Sequence, residues 1–355
     1  MTSTDHLVPA HDAIQRIRGL PNWSENLLFV MYNSGAGIAA WAHWSRVPAR
    51  PQLWEAVLAL YLPGGELLLH RSFGPGPARS PSGSDASDGS GVSDGSDGSD
   101  ASDAADPGAA SSGPLSFRCV EPLRRWSVRL DGMMRRTRTA EVTTGPLADG
   151  PWEPVRFEAD FEGLAPTWSA RGLDDQEWAD GHLEQPGRIT GTATVGGRDV
   201  VFDTHGFRDH SYGPRDYAKI LGDAWLSGVF PSGRALLAIV VWTRTAGVPP
   251  YVVGFVDDSL GRHPVTGLRL PRLAGVDGSP TEFTAEVVTA AGTAVVEVAM
   301  THRTNYTLDN PVGMTLGTRG GADELIAAEG PARLRWDGEE ADGWIERFLR
   351  RDQLA

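Results

Sequence analysis

Strict alternation of apolar and polar side chains in two stretches is the strongest constraint on the fold of this chain. Residues 126–131 (WSVRLD) and 155–162 (VRFEADFE) both follow this pattern. Successive side chains of a β-strand point to opposite faces, so the alternation predicts strands with one buried and one solvated face. Strand-like runs also fill residues 27–69 and 188–302. We therefore expect an all-β protein.

The turn residues support this fold class. The chain has 43 Gly and 25 Pro, and hairpin turns are predicted at Pro63-Gly64-Gly65 and Gly196-Gly197. The alternation of strands and helices that a nucleotide-binding α/β fold requires does not occur. The second half is predicted to be an antiparallel meander with a late helix over residues 338–350, and a short helix is predicted over residues 12–18.

The length of 355 residues exceeds the usual range of a single core, so two domains are expected. We predict a first lobe over residues 1–165 and a second lobe over residues 166–355. Segment 75–114 is rich in Ser, Asp and Gly and lacks aromatic residues, and its seven Asp account for half of the formal net charge of −14. Such a segment cannot bury enough apolar surface to offset its ordering entropy, which predicts a disordered insert in the first lobe.

Charge and hydropathy argue against several classes of protein. No basic stripe is present that would neutralise phosphates, so nucleic-acid binding is not expected. No apolar run reaches the ~18 residues needed to cross a bilayer, and the first residues lack a secretory signal. These features predict a cytoplasmic protein without an integral membrane segment. Cys119 is the single cysteine, so no internal disulfide is expected, and the oligomeric state is left open.

Segment 206–217 (GFRDHSYGPRDY) is a dense cluster of ionisable side chains directly after an apolar strand. If the alternation of the strand continues, one face carries Arg208, His210 and Tyr212. Asp209 belongs to the opposite face. Gly213-Pro214 then turns the chain, so Arg215 and Asp216 are expected to fold back towards the strand end.

A histidine held by a carboxylate in an apolar cavity can carry a proton to or from a substrate. We predict that His210 and Asp216 form such a pair. Arg208, Arg215 and Tyr212 would orient the pair, and Asp209 would be a supporting ion-pair partner. The hairpin at Gly196-Gly197 brings Glu184 close to His210. The alternative is a satisfied Arg–Asp network that fastens the two lobes together, and the sequence leaves both interpretations open.

The sequence predicts neither a metal nor an organic cofactor. His205 and His210 lie on opposite faces of the strand, and no HExxH motif or phosphate-binding glycine motif is present. The chain has 12 Trp, and we expect some of them, including Trp168 and Trp225, to line a cavity for an apolar ligand. The face of an indole ring can also stabilise a developing carbocation.

Three segments carry a resemblance to a known group: GFRDHSYGPRDY, HLEQPGRITGTATVGGRDVVFD and FRCVEPLRRW. The chain resembles a bacterial branch of the carotenoid 1,2-hydratase (hydroxyneurosporene synthase)-like and AttH-like proteins. The resemblance implies two consecutive lipocalin-like antiparallel barrels and a cofactor-free hydratase or cyclase. The His-x-Trp pair of the hydratase falls on His210 and Tyr212, with Tyr in place of Trp. Its downstream Tyr-x-Asp motif has no clear match after Trp225.

The function predicted from the sequence is cofactor-independent catalysis on an apolar, isoprenoid or polyketide-like small molecule. The reaction would be a hydration, cyclisation or isomerisation by proton transfer inside a barrel cavity. The alternative is a lipocalin-like carrier that binds a lipid or pigment without changing it.

Overall fold

The structure, a computed structural model of the chain, consists almost entirely of antiparallel β-strands. It describes residues 7–75, 109–142, 150–170, 181–309 and 313–354. Most of the segment predicted to be a disordered insert, residues 76–108, lies outside the described residues. Among the helices of the described residues, none is long and apolar enough to cross a membrane.

The first sheet has eleven strands. They are β1 (Trp23–Asn33), β2 (Ile38–Val47), β3 (Arg50–Leu62), β4 (Glu66–Pro75), β5 (Ala109–Ser112), β6 (Leu115–Glu121), β7 (Arg125–Arg138), β8 (Trp152–Gly163), β9 (Trp168–Ser169), β10 (Gly181–Val195) and β11 (Arg198–Pro214). A four-residue helix, α1 (Thr139–Val142), follows β7. Pairing of β4 with β7 closes eight of these strands into a barrel, and β5, β6 and β9 lie outside the closed ring.

The second sheet has ten strands. They are β12 (Ile220–Val229), β13 (Ala235–Thr243), β14 (Tyr251–Asp258), β15 (Gly261–Arg269), β16 (Glu282–Thr289), β17 (Gly292–Met300), β18 (Thr304–Asp309), β19 (Gly313–Leu316), β20 (Leu325–Trp336) and β21 (Glu339–Arg350). Pairing of β17 with β20 closes the second eight-stranded barrel, and β18 and β19 extend from it. The prediction of an all-β protein with two consecutive lipocalin-like barrels is confirmed.

Apolar side chains fill both barrels. In the first barrel Trp44 and Trp54 stack with ring centroids 3.5 Å apart, and Phe29 packs against Phe117 and Trp126. A separate cluster fills the second barrel, including Leu226, Leu236, Val296 and Ile345. A third cluster joins the outer faces of the two barrels and includes Val30, Trp41, Phe207, Trp225 and Phe348. The two barrels are thus fastened together by an apolar seam.

The late helix predicted over residues 338–350 is wrong, because this segment is strand β21. Glu, Leu and Arg favour helices in isolation, but here β21 pairs with both β12 and β20. Asp337 and Gly338 have positive φ angles of 50° and 78° and connect Trp336 to Glu339. A two-residue Asp-Gly turn of this kind specifies a β-hairpin.

The boundary predicted at residues 165/166 does not coincide with the division between the barrels. The hairpin at Gly196-Gly197 forms as expected, but β11 then pairs with β1 along Met31–Trp23. That pairing places β10 and β11 in the first barrel, and the division falls between Pro214 and Ile220. The predicted helix over residues 12–18 is also absent, and a 3-10 turn covers Pro9–His11 instead.

Candidate functional site

Alternate side chains of β11, which carries most of the predicted site, lie in two different environments. The side chain of Arg208 lies inside the first barrel, with its guanidinium 5.8 Å from the ring centroid of Trp126 and 5.7 Å from that of Phe161. Asp209 and Ser211 point the other way and line a cleft between the two barrels. The alternation was therefore predicted correctly, but the open cavity lies on the face opposite to the predicted one.

The inner face carries a sealed polar network around Arg208. Its Nη1 and Nη2 donate to the two carboxylate oxygens of Asp12, at 2.6 and 3.2 Å, and its Nε donates to Gln185 Oε1 at 2.9 Å. Trp126 Nε1 also donates to Asp12, at 3.0 Å. Burial acts to raise the pKa of Asp12, but the charges of Arg208 and His210 hold it well below its usual range. This arrangement is a buried ion pair that ties Asp12 to side chains of β7 and β11.

His210 belongs to the same network. Its Nε2 lies 3.0 Å from Glu25 Oε1, and its Nδ1 lies 3.8 Å from Asp12 Oδ1. Burial acts to lower the pKa of His210, but these two carboxylates raise it to about 9. The side chain is fully buried, and the ring of Tyr212 packs edge-on against it at 5.5 Å.

The predicted pairing of His210 with Asp216 and Glu184 is wrong, since Asp12 and Glu25 hold its ring. Asp216 instead begins a 3-10 turn, where its Oδ1 accepts a hydrogen bond from Ala218 N at 3.1 Å. The local sequence did not reveal the real partners, because Asp12 and Glu25 lie about 200 residues earlier in the chain.

The cleft between the barrels has a cavity volume of about 140 Å³ and opens to solvent. Its apolar lining includes Leu28, Trp41, Trp225, Ile239, Leu308 and Phe348. Trp41 stacks on His43 with centroids 5.4 Å apart and on Tyr306 at 5.6 Å. Both barrels therefore contribute to one largely aromatic floor.

The wall from the first barrel carries a histidine between two carboxylates. His182 Nε2 lies 2.5 Å from Asp209 Oδ2 and 3.1 Å from Glu184 Oε1, because β10 and β11 pair His182 with Ser211 and Glu184 with Asp209. Burial acts to lower the pKa of His182, but the carboxylates raise it to about 10. The imidazole is therefore protonated at neutral pH.

The two carboxylates beside His182 differ in charge state. Burial acts to raise the pKa of Asp209, yet the charges of His182 and Arg215 hold it below its usual range. Burial raises the pKa of Glu184 to about 7 despite the opposing effect of His182. Trp225 Nε1 donates to Glu184 Oε1 at 2.8 Å, while Glu184 Oε2 is buried without a hydrogen-bond partner. Glu184 therefore gains or loses a proton near neutrality.

The wall from the second barrel carries a cluster of carboxylic acids. The hydroxyl oxygen of Tyr306 lies 2.7 Å from Glu329 Oε2 and 2.9 Å from Glu346 Oε2. A tyrosine has one hydroxyl hydrogen, so the second contact is a hydrogen bond only if one of the two glutamates is protonated and donates to the tyrosine. Burial raises the pKa of Glu329 to about 7 and those of Glu346 and Asp223 well above their usual range. At neutral pH this wall therefore holds Glu346 and Asp223 as neutral acids, whereas Glu329, like Glu184, gains or loses a proton near neutrality.

A family model described as "Domain of unknown function (DUF7064)" matches residues 86–347 of the chain. The chain belongs to the DUF7064 family. None of the curated proteins matches this DUF7064 sequence.

Solved structures show the fold that this DUF7064 chain shares. A structure described as an AttH from Nitrosomonas europaea aligns over 92% of each chain with 14% identity and a TM-score of 0.54. CghA, solved with Sch210972, aligns over 93% of this chain and 89% of its own at 12% identity and a TM-score of 0.59. Kievitone hydratase from Nectria haematococca aligns over 92% and 88% at 10% identity and a TM-score of 0.54.

One group of three side chains in the described part of the DUF7064 chain has the spacing of metal ligands. The nearest nitrogen or oxygen atoms of His182, Glu184 and Asp209 all lie within 4.8 Å of one another. A cation there would have to displace the proton that the two carboxylates stabilise on His182.

Only some of the predicted site residues lie at the cleft. Asp209, Arg215 and Trp225 line the cleft, and Glu184 lies directly behind it through its contacts with His182 and Trp225. Trp168 packs on Phe255 at 5.9 Å in the seam beside it. Sequence reasoning assigned no catalytic role to six further residues of the cleft: His43, His182, Asp223, Tyr306, Glu329 and Glu346. A signal did exist for one acid, since Glu329 interrupts the apolar run over residues 325–332.

Proposed function

We propose that this chain is a cofactor-independent enzyme that transfers a proton to or from an apolar small molecule in the cleft between the barrels. The observation that carries the proposal is the pairing of opposite charge states across one cleft. Asp209 is held as a carboxylate on one wall, while Glu346 and Asp223 are held as neutral acids on the other. Titratable groups whose environments push their pKa values apart are the usual basis for assigning an acid and a base.

The two walls supply complementary steps. Asp209, whose Oδ2 lies 2.5 Å from the protonated Nε2 of His182, forms an acceptor and donor pair with it on the first wall. Asp223 Oδ1 is buried without a hydrogen-bond partner and lines the cleft, so as a neutral acid it can donate its proton to a substrate. Protonation on one side and deprotonation on the other would drive hydration, cyclisation or isomerisation without a cofactor.

The aromatic floor determines the substrate class that we propose. Trp41 and Trp225 line the cleft and remain 2% and 7% exposed, and an apolar, aromatic lining of this kind suits an isoprenoid or polyketide-like molecule. Among proteins with this fold, one is named as a hydratase of kievitone and another was solved with the small molecule Sch210972. The resemblance to carotenoid 1,2-hydratases adds hydration of an isolated alkene to the reactions to be tested.

The filled barrels count against a carrier that holds its ligand inside a barrel. A chamber within the first barrel would have to displace packed rings such as Phe29, Phe157 and Phe161. A carrier would therefore also have to use the cleft, where its ligand would contact neutral acids and a charged histidine. A carrier has no need of groups in those charge states.

The test is turnover in D₂O. Purified protein is incubated with an apolar extract of the organism that encodes it, and new masses are identified by chromatography with mass spectrometry. Hydration in D₂O adds the elements of one D₂O, with one deuterium bound to carbon, and cyclisation or isomerisation by protonation from solvent introduces carbon-bound deuterium without added oxygen. Asp209→Asn and Asp223→Asn should each reduce product formation about 100-fold or more, as expected for a lost acid or base. Asp203→Asn, which removes an exposed ion pair with Arg188, should leave it unchanged.

Full turnover by both cleft variants would rule out the assigned acid and base. Extraction of an unaltered ligand by the wild-type protein, with no new mass and no deuterium, would establish the carrier instead.

A further inference from the structure

Arg215 occupies the point where the chain leaves the first barrel. Its backbone N donates to Asn22 O at 2.9 Å, which fixes it directly after β11, and its side chain lines the cleft. Nη2 donates to Ser211 Oγ at 2.6 Å, and Ser211 Oγ in turn donates to Asp209 Oδ1 at 3.1 Å. Nε is buried and has no hydrogen-bond acceptor. The guanidinium is therefore held in place with part of its donor capacity unused.

Within the described part of the chain, Arg215 has no carboxylate in direct contact with its guanidinium. Asp209 reaches it only through Ser211 while accepting the proton of His182. Arg215 is only partly buried, so its charge remains available to a ligand that enters the cleft. Arg208, on the inner face of β11, shows the paired case, since both of its terminal nitrogens donate to Asp12. Arg215 lacks such a partner.

The cleft extends from this cation along an aromatic path. The charge of Arg215 acts on the neighbouring His43, which stacks on Trp41, and Trp41 stacks on Tyr306 beside the acid wall. A ligand along this path would have its apolar body on Trp41 and one end at Arg215.

We infer that the substrate is an amphiphilic carboxylic acid, with its carboxylate on Arg215 and its apolar body on the aromatic floor. The planar guanidinium fits a carboxylate because two of its N–H groups can donate side by side. The inference rests on the proposed function only for the location of the substrate. Anchoring the acid end beside His182 and Asp209 would hold the apolar chain between the two walls.

A pair of fluorescent probes tests the inference directly. The polyene cis-parinaric acid and its methyl ester have the same apolar body and differ only in the negative charge. The wild-type protein should bind the acid about tenfold more tightly than the ester, a difference expected for one charge-assisted contact. Arg215→Gln should reduce this preference to less than about twofold while leaving the affinity for the ester unchanged.

Three further variants serve as controls. Arg215→Lys keeps the charge without the planar donor pair, and should retain an intermediate preference. Arg269→Gln removes an exposed arginine paired with Glu286 on the second barrel, and should behave as wild type. Leu308→Trp fills the cleft from a partly exposed position, and should weaken both probes together.

Equal affinity of the wild-type protein for acid and ester, or a preserved preference in Arg215→Gln, overturns the inference. So does binding of neither probe, or binding that Leu308→Trp leaves unchanged. Turnover in D₂O is independent of this preference. Deuterium incorporation without acid selectivity refutes only the carboxylate, and acid selectivity without turnover refutes only the enzyme.

Discussion

Replacing Glu329 with Gln should make the folded state less sensitive to alkaline pH. Glu329 is almost completely buried, and burial raises its pKa from 4.5 to about 7. Since the folded pKa lies above the unfolded value, ionisation is disfavoured in the folded state. The cost is absent below pH 4.5, increases as the pH rises, and is complete above pH 7. A difference of this size corresponds to about 3 kcal/mol of unfolding free energy.

Glutamine is the matched replacement because it mimics the neutral acid. Its carbonyl oxygen can accept from Trp344 Nε1, which lies 2.8 Å from Glu329 Oε1, and its amide can donate to the Tyr306 oxygen. Urea unfolding of wild type and variant at pH 5 and pH 9 gives the two free energies. The variant should gain up to about 3 kcal/mol relative to wild type between pH 5 and pH 9.

Glu297→Gln is the control, because this residue forms an exposed ion pair with Arg335 on the same barrel. It should change the pH profile little. If Glu329→Gln and wild type keep parallel profiles, or if the variant loses stability only at pH 9, then Glu329 is an ionised acceptor and the neutral acid wall is wrong.

Three shorter predictions follow from other contacts. Asp12→Ala should destabilise the fold by about 3–5 kcal/mol in urea unfolding, because it leaves the buried charge of Arg208 without a carboxylate partner. A loss below about 1 kcal/mol would show that Arg208 finds water or another acceptor. An NMR titration should show His182 protonated through pH 8, since its pKa lies at about 10, and Asp209→Asn should shift the midpoint down; a wild-type midpoint near 6.5 would contradict the charged pair. Gly338→Val should cost about 1–2 kcal/mol at its φ of 78° in thermal unfolding, whereas an unchanged midpoint would show that the turn tolerates a side chain.

Local pattern was sufficient to predict the strands but not their partners. Alternation over residues 155–162 predicted part of β8, and Gly196-Gly197 predicted the hairpin of β10 and β11, because both signals depend on neighbours in sequence. The pairing of β11 with β1 joins residues almost 200 positions apart, and no local signal specifies it. The boundary between the barrels was therefore misplaced.

The candidate site, like the fold, was predicted from local pattern only in part. Alternation separated His210 from Asp209 correctly, but only the docking of the second barrel decides which of these faces is open. His182 and Asp209 meet because β10 and β11 pair in register. Glu329 faces them across the cleft because a different barrel packs against the first. The packing of one barrel against the other cannot be read from local pattern in a single sequence.

A crystal structure of the protein with cis-parinaric acid tests the central claim most directly, since the claim is that chemistry occurs between the barrels and not inside one. We expect the polyene to lie between Trp41 and Trp225, with the carbon chain passing between Asp209 and Asp223. Electron density for the polyene inside either barrel, with the cleft between the barrels unchanged, would contradict the proposed site.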